Sequence, residues 1–259
     1  MSNHLQLSAG SGVFEIRFNR PDKKNAFTIP MYEGIVAALR QAEADSSIRV
    51  ILFSGEGAAF SAGNDLQDFM NNPPDLGAGP EPGPVMQFMR TLSSVRKVVV
   101  AAVQGPAVGV GATMLLHCDL VLAADTARLS LPFINLGLVP EFGSTQLLPQ
   151  RVGYLKAAEL TLLGEPFDGA TAQRLGLVNQ VVPAAELHQA ARALAAKLAA
   201  KAPEALLLTK ELLKSGGDSL AQRIDTEVQH FARRLRSAEF REAATAFFEK
   251  RAPDFTKLG

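Results

Sequence analysis

Glu141 is the one acid in an otherwise apolar stretch, Leu131-Pro132-Phe133-Ile134-Asn135-Leu136-Gly137-Leu138-Val139-Pro140-Glu141-Phe142-Gly143-Ser144-Thr145. If Phe133, Ile134, Leu136, Leu138, Val139 and Phe142 share one pocket with it, lost hydration raises its pKa toward the range of a general base. The alternative is a first-turn glutamate that stabilises a helix starting near Gly143 through the helix dipole. Two further segments are built from small residues: Ala58-Ala59-Phe60-Ser61-Ala62-Gly63-Asn64-Asp65-Leu66 and Gln104-Gly105-Pro106-Ala107-Val108-Gly109-Val110-Gly111-Ala112. Small side chains let a ligand reach peptide N–H groups, and a helix starting just beyond adds its positive N-terminal field. Two such junctions on neighbouring parallel strands can aim two N–H donors at one oxygen, an oxyanion hole made of main chain. Tight packing of helix on sheet accounts for the same small residues equally well.

Other chemistries lack their residues. There is no G-x-S-x-G elbow, no Walker loop and no histidine pair spaced for zinc, and Gly109-Val110-Gly111-Ala112-Thr113-Met114 lacks the third small residue of a dinucleotide fingerprint. His4, His117, His188 and His230 are scattered along the chain and read as structural or exposed. The lone Cys118 leaves no partner for an intramolecular disulfide or a cysteine metal site, which fits a reducing compartment. No metal is expected. The 259 residues carry 26 basic and 26 acidic side chains, so the basic excess of a nucleic-acid binder is missing. No apolar run reaches the roughly 18 to 20 residues of a membrane helix, and neither terminus carries a secretory or Ser-Lys-Leu address. The expected location is cytoplasmic, with neither membrane nor nucleic acid as partner.

The elements that must position these residues follow from periodicity. Leu5 and Leu7, then Val13, Phe14, Ile16 and Phe18, flank Ser8-Ala9-Gly10-Ser11-Gly12 and predict a hairpin. Met31, Ile35, Ala38, Leu39 and Ala42 keep helical spacing ahead of the apolar run Val50-Ile51-Leu52-Phe53. The order repeats: a helix around 85–92 leads into a strand over 98–103, and a helix after Gly109 leads into a strand over 120–122. Strands alternating with helices predict an α/β architecture with parallel pairing. Five prolines and three glycines between Asn71 and Pro84 predict a loop. After Val182 no strand signal remains, and amphipathic helices are expected over 187–198, 203–213, 220–235 and 238–250, their apolar faces covering either the chain's own core or a neighbouring subunit. The chain divides into a core over 1–200 and a helical region over 201–259.

Taken together, Asn19-Arg20-Pro21-Asp22-Lys23-Lys24-Asn25-Ala26, Phe60 to Leu66, Val103 to Gly111, Cys118-Asp119, Leu136 to Pro140 and Ala246-Phe247-Phe248-Glu249-Lys250-Arg251 resemble the crotonase superfamily of enoyl-CoA hydratases and isomerases over nearly the whole chain. The resemblance implies a spiral of ββα repeats with a C-terminal helical trimerisation region, a homotrimer or dimer of trimers, and an acyl-CoA thioester as substrate. Coenzyme A is then part of the substrate and no separate cofactor is expected. The oxyanion hole maps onto the N–H groups of Ala62 and Val110. Main chain near Ala62, Asp65 and Leu66 is expected to hold the adenine and pantetheine, Lys23, Lys24 and Lys250 the CoA phosphates, and Phe231 to wall the site.

The two glutamates of the family's hydratases fall on Thr113 and Phe133, neither a carboxylate. Glu141 after Pro140 resembles instead the single catalytic carboxylate of the Δ3,Δ2-enoyl-CoA isomerase branch. That resemblance implies movement of a 3-enoyl-CoA double bond to the 2-position, in fatty-acid or related acyl-CoA breakdown. The alternatives are a hydratase or another crotonase-type reaction, and a non-catalytic acyl-CoA- or RNA-binding homologue.

Overall fold

A computed structural model describes residues 4–71 and 82–256. The chain opens with β1 (Leu5–Gly10) and β2 (Val13–Phe18), paired antiparallel from Leu5 against Phe18 to Gly10 against Val13. The hairpin is tighter than the sequence predicts. Ser11 and Gly12 both take positive φ, which closes a two-residue turn and frees Ser8 to Gly10 for pairing. Next come α1 (Ile29–Ala44), β3 (Val50–Gly55), α2 (Leu66–Asn71), α3 (Pro84–Ser94), β4 (Val98–Val103), β5 (Pro106–Val108) and α4 (Val110–Thr113). β6 (Leu120–Ala124) and β7 (Arg128–Ser130) follow, then α5 (Ser144–Val152), α6 (Tyr154–Ala158), β8 (Phe167–Asp168), α7 (Gly169–Arg174) and β9 (Gln180–Val182). The predicted loop over 71–84 lies outside the described residues except at its two ends.

The main sheet runs β1-β2-β3-β4-β6-β9, parallel from β2 onward. Its strands β4 and β6 are apolar at every position, and β3 is so from Val50 to Phe53, because both faces are covered. Ile51, Phe53, Val99, Ala101 and Val103 join the core that includes Ile35 and Leu39 of α1 and Phe88 and Leu92 of α3. Val50, Leu52, Val98, Val100 and Ala102 face the other way, onto Leu187, Ala191, Ala195 and Ala199 of α8 (Leu187–Ala199). That stripe recurs every fourth residue, and its alanines let the helix lie close to the sheet.

A second, smaller sheet, β5-β7-β8, has strands of two or three residues, too short to register as periodicity. Its pairing continues as single bridges between Ser61 and Ala107 and between Phe27 and Asn64. Successive stretches therefore pass from a main-sheet strand to a bridge or strand of the second layer and then into a helix: β2, Phe27, α1; β3, Ser61, α2; β4, β5, α4. The winding stacks the two small-residue segments side by side.

Beyond α8, α9 (Pro203–Lys214) is anchored by the buried Lys210, whose ammonium reaches the Lys97 carbonyl at 2.7 Å and the Asp119 carboxylate at 2.6 Å. α10 (Leu220–Arg234) buries no residue, and α11 (Ala238–Glu249) buries Glu239 and Ala246. Ile224, Val228, Phe231, Phe247 and Phe248 are exposed, so these apolar faces do not cover the chain's own core. Among the described residues no helix is long and apolar enough to cross a membrane, and no cluster of His, Cys, Asp and Glu is arranged for a metal ion.

Candidate active site

The two small-residue segments meet at close quarters. Ser61 N–H donates to the Pro106 carbonyl at 3.1 Å, and Val108 N–H returns to the Ser61 carbonyl at 2.9 Å. A Cβ on Gly111 would stand 2.8 Å from the Ser61 carbonyl oxygen, and one on Gly63 would stand 2.8 Å from that of Val108. The glycines are thus required by backbone approach, and Gly63 also by its φ of +90°.

Between Phe60 and Asp65, the turn that faces the second segment, the amides can be accounted for one by one. Phe60 and Ser61 donate to Pro106, Ala62 to the Lys24 carbonyl at 2.9 Å, Gly63 to its neighbour Ser61 Oγ at 3.1 Å, and Asp65 to the Phe27 carbonyl at 2.8 Å. The Ala62 N–H expected for the oxyanion hole is therefore committed to backbone. Asn64 N–H is the amide of that run without an acceptor among the described residues, because its bridge to Phe27 is carried by the Gly63 carbonyl and the Asp65 amide on either side. In the second segment Gly109 donates to Ser130, and Ala112 and Thr113 donate to Gly109, which leaves the N–H groups of Val110 and Gly111, the first two of α4, without an acceptor among the described residues, Val110 being the one the family resemblance assigns. Asn64 and Val110 are the candidate donor pair. The sequence signal that separates Asn64 from Ala62 is Gly63, whose positive φ turns the chain.

The surrounding loops are tied by buried polar side chains that the sequence did not single out. Asn25 donates to the Glu56 carbonyl at 2.9 Å and the Ala59 carbonyl at 2.7 Å, and its own side-chain oxygen accepts from Arg20 N–H at 2.8 Å. Gln104 adds a second donor to the Ala59 carbonyl at 2.7 Å. Tyr32 of α1 is fully buried and donates its phenol proton to Asn64 Oδ1. Its ring packs at 5.3 Å from Phe88, which lies 5.3 Å from Phe142 beside Glu141.

Glu141 lies before α5 rather than in its first turn, and its carbonyl accepts from Ser144 N–H and, at 2.6 Å, from Ser144 Oγ. Its carboxylate turns instead to Thr113 of α4: Thr113 Oγ1 donates to Glu141 Oε1, and Oε2 is buried without a partner among the described residues. Burial pushes the carboxyl from an ordinary 4.5 up to about 7, with the Thr113 hydrogen bond acting in the opposite sense. The expected apolar lining is smaller than the sequence suggests. Phe133 and Phe142 are buried, whereas Ile134, Leu136, Leu138 and Val139 are exposed, the last at 80%. They lie on a short 3-10 turn and the loop after it, which carry their side chains outward in the single chain. The Phe133 ring reaches the oxyanion segment, its tip 4.0 Å from where a Cβ on Gly109 would stand. His117 is also buried, its Nε2 2.8 Å from the Phe142 carbonyl and its ring stacked at 4.0 Å on that of Phe142.

The remaining expected residues separate. Lys23 and Lys24 are exposed on the turn whose Lys24 carbonyl holds Ala62. Asp65 is committed: its amide goes to Phe27, its carbonyl accepts from Phe69, and its carboxylate takes Arg20 at 2.7 Å and the amides of Gln67 and Asp68 at 3.1 Å. Its hydrogen bond from Arg20 first, then that from the Asp68 amide, holds the carboxyl below its usual range. Asp65 thus shapes the start of α2 rather than offering main chain to a ligand. Leu66 is exposed at that start. Phe231 lines a cavity between α9 and α10 with Leu208, Leu212 and Val228, and Lys250 ends α11 in a left-handed conformation. Neither is brought to Glu141 within one chain.

Amides without acceptors on adjoining turns and one buried carboxylate form an arrangement that can stabilise an oxyanion and move a proton. The family model of enoyl-CoA hydratase/isomerase matches residues 8–258, and the chain belongs to that family. It is 37% identical to the 1,2-epoxyphenylacetyl-CoA isomerase of Escherichia coli, covering 95% of each chain. It is 34% identical to the 2,3-dehydroadipyl-CoA hydratase of the same organism over 98% of each. A solved structure from Magnetospirillum magneticum AMB-1, "putative enoyl-CoA hydratase/carnithine racemase", matches with a TM-score of 0.93 at 44% identity, over 99% of this chain and 100% of that one. The architecture is accordingly the crotonase fold, and an acyl-CoA substrate accords with the family.

Proposed function

We propose that the protein is an enoyl-CoA isomerase that shifts a 3-enoyl-CoA double bond to the 2-position by a 1,3-proton transfer. The reading is carried by Glu141, a single buried carboxylate with one oxygen free, placed one hydrogen bond away from the helix that offers the Val110 amide. Glu141 removes a proton from C2, and the electron pair passes to the thioester oxygen, giving a dienolate. The N–H groups of Asn64 and Val110 hold that negative charge, each such donor being worth about 3 to 4 kcal/mol. The same carboxyl then returns the proton at C4, so no water and no second acid are consumed. With Thr113 and Phe133 where paired glutamates would be needed to activate water, hydration lacks its machinery. Lys23 and Lys24 flank the site as contacts for the CoA phosphates, and a homotrimer would cover the exposed tail faces and bring Phe231 and Lys250 to a neighbour's site.

The test is a pair of steady-state assays on 3-enoyl-CoA and 2-enoyl-CoA thioesters with the wild type and Glu141→Gln. Isomerisation is expected to dominate, to rise with pH as Glu141 ionises with a midpoint of about 7, and to vanish in Glu141→Gln. Hydration as fast as isomerisation, or unchanged turnover in the variant, would overturn the assignment.

A further inference from the structure

We infer that Thr113 is a positioning residue for the base: its hydroxyl holds Oε1 of Glu141 and so makes Oε2 the oxygen that takes and returns the substrate proton. The inference rests on Glu141 acting as base and deepens that reading.

Thr113 is completely buried and has one hydroxyl hydrogen to give. Within reach are the Glu141 carboxylate and, at 3.5 Å, the Val110 carbonyl. An ionised carboxylate is the stronger acceptor, so the hydrogen goes to Glu141. The terminal torsion of a glutamate is soft and nearly two-fold, so an untethered carboxylate exchanges its oxygens. One hydrogen bond to Oε1 breaks that equivalence and leaves Oε2 buried with both lone pairs unused.

The tether also ties the base to the oxyanion donor. Val110 opens α4, and Thr113 is three residues on, one turn further along the same face. Four residues beyond Thr113, in the 3-10 turn that continues the helix, His117 meets the carbonyl of Phe142, the residue next to Glu141. A single helical run thus presents an amide toward the thioester oxygen, a hydroxyl toward the carboxylate and a ring toward the loop that carries the carboxylate. The distance between base and enolate is fixed by eight residues of continuous helix-like backbone rather than by the loop.

The bond to Thr113 works against the upward push of burial on Glu141, so its removal moves the titration further up. The neighbouring titratable groups do not blur that readout. Tyr32, facing from α1, is raised well above its ordinary 10.0 by burial and then by the Glu141 charge, and stays protonated. His117, from the α4 run, is lowered from 6.5 by burial and is neutral through the upper half of the range.

The experiment uses the full chain with 3-hexenoyl-CoA as probe and compares Thr113→Val, which keeps the shape, with Thr113→Ser, which keeps the hydroxyl. Thr113→Val is expected to lower kcat by about ten- to a hundred-fold, the loss of a hydrogen bond to a charged group. KM should change by less than about two-fold and the midpoint of the kcat/KM profile should rise by roughly half a unit or more. Thr113→Ser should recover most of kcat and the wild-type midpoint. Wild-type kcat and midpoint in Thr113→Val, or a Thr113→Ser as impaired as Thr113→Val, overturns the inference. If Thr113→Val does not fold, Thr113→Ala carries the same expectations. Glu141→Gln is run alongside: turnover surviving in it defeats the base itself, whereas a dead Glu141→Gln beside a fully active Thr113→Val defeats only the role of Thr113.

Discussion

Replacing Glu141 by glutamine should change the stability of the fold in a way that depends on pH. The carboxyl titrates at an ordinary 4.5 when the chain is unfolded and at about 7 in the folded protein, because burial penalises its charge. The folded state therefore binds the proton more tightly, and between these two values stability falls as pH rises. The difference is about 2.5 units, and at 1.36 kcal/mol per unit it is worth about 3 kcal/mol, fully present as destabilisation above pH 7 and absent below pH 4.5. Glutamine carries no charge and has no such dependence. It does bring an amide N–H₂ to the position of the unpartnered Oε2, at a cost of about 1 to 3 kcal/mol that does not vary with pH. The informative quantity is thus the stability of the variant minus that of the wild type, measured by urea denaturation at several pH values with every other titrating group cancelling. It should climb by roughly 2.5 kcal/mol from pH 5 to pH 8. A difference that is flat across that range would refute the burial of an ionisable Glu141 and the origin of its basicity with it.

Two further outcomes follow from the same structure. Gly63→Ala forces a Cβ to 2.8 Å from the Val108 carbonyl at a φ of +90°, and is expected to cost about 1 to 3 kcal/mol in thermal denaturation and to lower kcat more than KM, since the Asn64 amide moves with it. Cys118, buried and pushed up to about 12 by burial first and the Asp119 charge second, should resist iodoacetamide at pH 8 in the native protein and react once the chain is unfolded in urea; rapid native labelling in mass spectrometry would contradict its placement.

Legibility in the sequence varied with the range over which each feature is decided. The runs Val50 to Phe53 and Val98 to Val103 announced strands covered on both faces because an apolar residue at every position leaves neither side for water. The helical stripes of α1 and α8 were equally plain from spacing. The strands β5, β7 and β8 were not, since two or three residues carry no period. The motifs that resemble the crotonase superfamily singled out the two small-residue segments and Glu141, and Val110 falls on an amide without an acceptor among the described residues.

Which amide of the first segment is free could not be read that way. Ala62 and Asn64 are both small-segment residues two positions apart, and what separates them is the carbonyl of Lys24, brought alongside from nearly forty positions earlier and accepting from Ala62 alone. Likewise Glu141 needs a hydroxyl partner twenty-eight positions away in sequence, and Ile134, Leu136, Leu138 and Val139, although adjacent to it, turn outward. Residue type and spacing determined the elements, the family and the chemical groups available. The tertiary structure alone decided which of those groups remain uncommitted, because a hydrogen bond is a competition among acceptors close in space, and sequence order does not rank them.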